Sequence, residues 1–519
     1  MGDVLSNLSL GFGVVFQLVQ WTPAFLGGMS IPIPVNILLC LIGALVGTLV
    51  GVLPGIGTIA TVAMLLPITF GLPPVGALIM LAGIYYGAQY GGSTTSILIN
   101  IPGESSSVVT ALDGHQMAKQ GRAGPALAIA AIGSFIAGCF STVLVAALGA
   151  PLTSLALLFG PAEYFSLMVL GLVFAVVLAR GSILKAIAMI LFGLLLSTVG
   201  SDIETGQSRM AFDIPELADG IGFVTVAMGV FGYAEIMRNL EQTESRDIVQ
   251  SKVTGLMPTW PDFKVAAPAI GRGTILGSIL GILPGGGAVI AAFAAYTFEK
   301  KMSKTPERFG HGAIEGVAAP ESANNAAAQT SFIPLLTLGI PPNAVMALMV
   351  GAMTIHGIVP GPQVMTKQPD LFWGLIASMW VGNLMLVVIN LPLVGLWVRL
   401  LRVPYRMLFP AILIFCAIGV YSINNAPADA IMVATFGLVG YWFVKHDFEP
   451  APMLLGFVLG PLMEENLRRA MLIARGDPTT FVTRPISGGL LFLAALLLVL
   501  AVMPMIRSKR DEVFVEGEA

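Results

Sequence analysis

Long apolar runs, cut by short glycine-, proline- or hydroxyl-rich breaks, occupy most of this chain. Residues 33–52, 125–150, 164–179, 183–199, 266–283, 372–398, 430–444 and 486–505 read as membrane-spanning helices, each near the roughly 20 apolar residues that a crossing takes. Residues 408–420 and 452–462 are further, shorter segments, and 220–236 is a weaker one. Residues 59–70 and 288–298 are too short to cross alone. Continuous runs rather than period-two alternation predict helices, not a barrel. The sum is an all-α polytopic membrane protein of about a dozen segments. Residues 8–26, with Gln17, Gln20, Trp21 and Pro23, predict an interfacial or short helix. Residues 75–90 predict a helix running into a polar break at GGSTTS. Residues 108–124, with Asp113, His115, Lys119 and Arg122, are expected to leave the membrane, and 201–219 to be aqueous.

One pattern occurs twice. Residues 51–57 read GVLPGIG and 281–287 read GILPGGG. Each copy is followed by a second polar stretch, GGSTTSILINIPGE at 91–104 and NNAAAQTSFIPLLTLGIPPN at 324–343. This divides the chain into an N-terminal segment 1–32, a first transmembrane repeat 33–237, a hydrophilic linker 238–264, a second repeat with C-terminal helices 265–506, and a charged tail 507–519. Paired broken segments in corresponding halves point to a secondary-transporter site. A helix that stops within the bilayer leaves N–H groups free to bind an anion and carbonyls free to bind a hard cation. Pro54 and Pro284 stop the preceding helices, and Gly55, Gly57, Gly285, Gly286 and Gly287 allow the turns, as backbone loops or coupling-ion ligands. The substrate-binding candidates are Ser93, Thr94, Thr95, Ser96, Asn100, Asn324, Asn325, Thr330, Ser331 and Asn343, which offer donors and acceptors without fixed charge. Which loop holds substrate and which holds the cation stays open. The competing reading of either copy is a glycine-rich packing face between helices.

Composition narrows the partners. The 519 residues are 56% hydrophobic and 11% charged, with mean hydropathy +0.87 and net charge −3, so no nucleic-acid partner is expected and the lipid bilayer is. Cys40, Cys139 and Cys416 lie in apolar runs and read as small core residues. The first residues lack a positive region, so no cleaved signal peptide is expected. Lys300, Lys301, Lys304, Arg308 and the basic tail are expected in the cytoplasm. Arg468, Arg469 and Arg475 ask for the same side, which a single crossing at 486–505 does not permit. Glu104, Asp113 and Glu163 read as helix-start residues, His356 as structural, and Glu321, beside the second break, as a functional intramembrane acid. No nucleotide-binding, metalloprotease or nucleophile-elbow motif is present, so no catalytic residue is assigned.

The stretch from GVLPGIG through INIPGESSSVVTALDGHQ, with GPAEYFSLMVLGL, GILPGGG, EGVAAPESANNAAA and FIPLLTLGIPPNAVMALMVGA, resembles the large membrane subunit of the tripartite tricarboxylate transporters, the TctA family. The resemblance covers nearly the whole chain. It implies a bacterial inner-membrane permease working with a small TctB-like membrane subunit and a TctC-like periplasmic solute-binding protein. It also implies inverted repeats, alternating access and import of a carboxylate (citrate, other di- and tricarboxylates, or aromatic carboxylates). The coupling ion is Na⁺ or H⁺, with no other cofactor. Abundant oxygen ligands and few buried acids favour Na⁺, at a site not assigned to particular residues. A passive anion channel and an intramembrane enzyme are the alternatives.

Overall fold

A computed structural model describes residues 2–21, 31–53, 57–179, 182–202, 205–241, 255–283, 285, 287–400 and 405–502. The described chain is almost wholly helical. Helix α1 (Gly2–Val15) leads into a small hairpin, β1 (Val19–Trp21) antiparallel to β2 (Ile31–Ile33). The first half continues with α2 (Val35–Val52), α3 (Thr58–Thr69), α4 (Pro74–Ile99), α5 (Val108–Lys119), α6 (Ala123–Ala156), α7 (Pro161–Leu178) and α8 (Ile183–Ser197). A second hairpin, β3 (Gly200–Ser201) with β4 (Ser208–Arg209), precedes α9 (Pro215–Ala218), α10 (Phe223–Ala227), a π-helical turn and α11 (Ala234–Glu241).

The second half comprises α12 (Trp260–Ile282), α13 (Gly287–Met302), α14 (Glu315–Thr330), α15 (Phe332–Leu338), α16 (Ala344–Ile355), α17 (Pro362–Lys367) and α18 (Pro369–Asn390). It ends with α19 (Val394–Leu400), α20 (Tyr405–Asn424), α21 (Pro427–Lys445), α22 (Pro450–Ile473), α23 (Thr480–Thr483) and α24 (Pro485–Val502). Thr259 and Asp262 form a capping box on α12, so residues 260–264, expected in the linker, open that helix instead. The charged tail lies outside the described residues.

Among the described residues, six helices are long and apolar enough to cross a membrane: α2, α6, α7, α12, α18 and α21. Large apolar side chains point outward, such as Phe140 and Val143 on α6, Ile431 and Leu438 on α21, and Phe492 and Val499 on α24. The interior holds Ser, Thr, Asn and small residues instead. That arrangement suits a lipid surround, where association rests on close backbone packing and hydrogen bonds rather than on hiding leucine from water.

The duplication seen in the sequence is a duplication of packing. Helix α2 runs along α4, and α12 runs along α14. Gly43, Gly47 and Gly51 each abut the backbone of Met80, Ile84 and Ala88, so closely that a methyl group would collide. Gly273, Gly277 and Gly281 do the same against Ala319, Ala323 and Ala327. The long helices then cross over. Helix α6 of the first half packs on α12 and α14, and α18 of the second packs on α2 and α4. Matching polar contacts mark the exchange: Ser141 meets Ser278 at 3.0 Å, and Asn390 donates to Thr48 at 3.4 Å.

The breaks fall elsewhere than the polar composition predicts. GGSTTS is helical, inside α4, and residues 324–330 are helical, inside α14. Hydroxyl groups bond back one turn, Ser93 to the Gln89 carbonyl, Thr95 to Gly91 and Thr330 to Ala326, so no polar group needs a broken helix. The chain breaks after α4 and after α15, at left-handed residues Asn100 (φ 57°) and Gly339 (φ 75°). Each is followed two residues on by proline, Pro102 and Pro341, and four residues on by Glu104 and Asn343. Helix α5, expected to leave the membrane, is buried against α4, α6 and α14. Asp113 is no helix start. It lies fully buried within α5 and accepts the N–H groups of Gly310, Gly312 and Ala313 at 2.7–2.9 Å and the Tyr296 hydroxyl at 2.9 Å. Glu163 does cap its helix, taking the Gly160 N–H at 2.9 Å, and pairs with Arg484 at 2.6 Å. The basic cluster near 468 is ion-paired: Arg468 meets Asp202 at 2.6 Å and Arg469 meets Glu465 at 2.5 Å.

Candidate functional site

Two groups of polar residues meet between the halves. The first surrounds Glu321, which has no exposed surface. Its Oε2 accepts from Ser93 at 2.5 Å and its Oε1 from Thr110 at 2.5 Å. A second-half carboxylate is thus held by α4 and α5 of the first half. The Asn325 Nδ2 lies 3.0, 2.8 and 2.5 Å from the Glu321 carbonyl, the Ser134 hydroxyl and the Asn324 Oδ1, its two N–H groups shared among the three acceptors. Among the described residues no Lys or Arg forms an ion pair with Glu321. A buried carboxylate without a fixed cation is costly unless neutralised. Hydroxyl and amide groups meet that cost here only in part, so the cluster is suited to gain a proton or a metal cation.

The second group lines a cavity of about 220 Å³. Four helix starts reach its wall: α3 at Ile59, α13 at residues 287–290, α16 at Ala344 and Val345, and α22 at Glu449, Ala451 and Pro452. Each start carries the positive end of a helix dipole, but their N–H groups differ: α22 opens with Pro450 and Pro452, which have none, and the Thr58 N–H of α3 is taken by Glu104. Gln89, Tyr85, Glu104, Ser105 and Asn343 supply polar side chains, and Ala175, Leu178, Ala179 and Leu455 an apolar wall. Gln89 is fully buried, its Oε1 takes the Ser106 hydroxyl at 2.5 Å, and its Nε2 has no protein partner. Asn343 caps α16 through the Met346 N–H at 3.0 Å, and its Nδ2 likewise has none. The Gly285 N–H donates to the Pro342 carbonyl at 2.6 Å, joining the Leu-Pro-Gly loop to the break after α15. Ser93 and Gln89 lie one turn apart on α4, the Ser93 oxygen 2.9 Å from the Gln89 backbone carbonyl, so the two groups share that helix.

The expected residues therefore divide. Gly285, Gly287 and Asn343 line the cavity, and Ser93 joins the Glu321 cluster with Asn324 and Asn325. Ser93 and Thr94 also border a separate small gap beside Ser134 and Asn390. Thr95 is taken up elsewhere. Its hydroxyl lies 3.0 and 3.3 Å from the Gly51 and Val52 carbonyls, so it serves the end of α2. Ser96 bonds Ser107 at 2.8 Å, while Thr330 and Ser331 bond back within their own turn. Asn100 is an exposed helix cap, away from both groups. Gly57 takes a left-handed φ of 67° and caps α3, its carbonyl accepting the Thr61 hydroxyl at 2.8 Å. Pro54, Gly55, Pro284 and Gly286 lie outside the described residues.

The sequence does not single out Gln89, Thr110 or Tyr85, whereas Glu104 holds a helix start as expected, that of α3. The alignment of IPGE with IPPN already set Glu104 opposite Asn343 and was the available signal. Gln89 had no such marker, being one amide in an apolar helix.

The chain is 61% identical over 518 residues, the whole of both proteins, to an uncharacterised 52.8 kDa protein in the TAR-I ttuC′ 3′ region of Agrobacterium vitis. It is 66% identical over 242 residues, 47% of this chain and all of the relative, to an uncharacterised protein in the TAR-II ttuC′ 3′ region of the same organism. No solved structure matches. The family model of the tripartite tricarboxylate transporter TctA family matches residues 37–455, and with the multi-pass helical fold this makes the chain a membrane transporter component belonging to that family.

Proposed function

We propose that this chain is the permease subunit of a binding-protein-dependent system that imports a carboxylate across the bacterial inner membrane with a cation. The observation that carries the reading is the convergence of four helix starts and the unpartnered Gln89 amide on one cavity between the halves. Helix N-termini and amide donors bind carboxylates. A cation carried with the substrate offsets part of its charge, and the repeated broken segments favour symport over a passive channel.

The cation is assigned to the oxygen cluster of Glu321, Ser93, Thr110 and Asn324, with Na⁺ as the first choice. Occupation there is coupled to substrate through α4, which carries Ser93 at the cluster and Gln89 at the cavity. The exchange of α6 and α18 supports inverted repeats and alternating access about the shared cavity. A small membrane subunit and a periplasmic binding protein complete the system, and the latter sets most of the substrate choice.

The test is uptake of labelled citrate, succinate and benzoate in vesicles containing all three subunits. Gln89→Leu and Glu321→Gln, at matched expression, are expected to abolish uptake, and undiminished uptake in both sinks this site. Uptake that follows pH and ignores Na⁺ reverses the choice of ion.

A further inference from the structure

The helix starts around the cavity are not equivalent. In the first half Glu104 lays its carboxylate on the start of α3, accepting the Thr58 N–H at 3.2 Å and the Thr58 hydroxyl. Glu449 stands at the N-cap of α22. In the second half Ala288 takes the place of Thr58, and Asn343 that of Glu104. Asn343 turns its Oδ1 to its own helix α16, and the first turn of α13 contains no acid. Residues 287–290 nonetheless face the cavity, where the Gln89 Nε2 and Asn343 Nδ2 groups have no protein partner.

We infer that the start of α13 is the seat of a carboxylate group of the substrate, and that Glu104 is the protein's own carboxylate in the corresponding seat of the other half. The inference rests on the carboxylate-transport reading and assigns substrate to the second repeat. A carboxylate in this seat takes the leading N–H groups of α13 together with the amides of Gln89 and Asn343. Among the described residues no arginine or lysine lines the cavity, and the donors that do line it are amides, hydroxyls and helix N–H groups. The body of the acid then lies against Ala175, Leu178 and Leu455.

The two halves give substitutions of opposite sign. Asn343→Asp keeps a capping side chain on α16 but adds a negative charge beside the start of α13. Glu104→Gln removes a negative charge from the facing wall and weakens the cap of α3. The full chain in lipid nanodiscs is titrated with acetate, succinate and citrate, followed by thermal shift and calorimetry. Wild type is expected to bind at least one acid. Asn343→Asp is expected to weaken that binding about tenfold or more, and Glu104→Gln to tighten it about threefold while lowering Tm. Gln89→Glu charges the opposite side of the seat and is expected to repeat the loss.

The assignment is overturned if wild type binds none of the three, if both aspartate and glutamate variants bind as wild type, or if Glu104→Gln weakens binding as a purely structural role would. Binding with this charge pattern but no uptake of any of these acids by the three-subunit system overturns the transport reading and leaves the seat standing. Uptake without the charge pattern does the reverse.

Discussion

The two halves share a scaffold and differ in where they keep their charges. Glycine ladders on α2 and α12 set the same close approach to α4 and α14. The same left-handed cap and proline end the next helical stretch in each half. On that common frame, the position of Ala82 in the first half carries Glu321 in the second, and that of Glu104 carries Asn343. The position of Asp113 carries Ala352. A duplicated fold supplies geometry twice, and the positions where one half carries a charge and the other does not are the ones expected to set direction and selectivity. The shared positions are expected to matter for stability in both halves alike, and the unequal ones for transport.

The largest effect is expected at Glu321. Changing it to Gln keeps the volume but removes the charge that Ser93 and Thr110 hold. Uptake should fall about 100-fold, measured as initial rate at equal membrane content. A small change would place the working asymmetry elsewhere. Next come Gly47→Val and Gly277→Val, which drive matched helix pairs apart. Each should cost about 3 kcal/mol, seen as lost thermal stability and yield. Glycines on the α4 side as well, at 83, 87 and 91, should make Gly47→Val the more damaging. An effect confined to one half would break the structural equivalence.

Asp113→Asn is expected to cost about 2 kcal/mol, because three N–H groups and the Tyr296 hydroxyl depend on that carboxylate. Thermal unfolding checks it, with Ala352→Gly as the comparison at the corresponding position. The smallest effect is expected from Ser141→Ala and Asn390→Ala, the two matching contacts at the crossover. About 1 kcal/mol or less for each, in the same assay, is the range of such bonds between membrane helices.

Much of the frame was legible in the residues. The repeated Leu-Pro-Gly, the matching prolines and the odd acid Glu321 all pointed to the interface between halves. The polar runs misled because hydroxyl and amide groups were read as helix breakers. In α4 and α14 they bond to carbonyls one turn back or to the facing helix, so an apolar setting keeps them helical. Asn100 looked like a ligand because its amide sits among candidate donors, but its backbone conformation, a helix cap, is what the site requires there. Gln89 and Glu104 were not legible as a pair. Gln89 lies inside α4 and Glu104 beyond its end, and they come together because the chain folds back on α4 there, with Ser106 on Gln89 and Glu104 against Gly92.

The crossing of α6 and α18 bears on how the chain is made. Helices α2 and α4 leave the ribosome long before α18, which covers them. During that interval their polar inner faces stand without their final partners, in lipid or against the insertion machinery. Neither half is a finished unit until the other has been synthesised, so assembly in the membrane waits on the second copy, and truncation before residue 390 should leave a chain for quality control to remove.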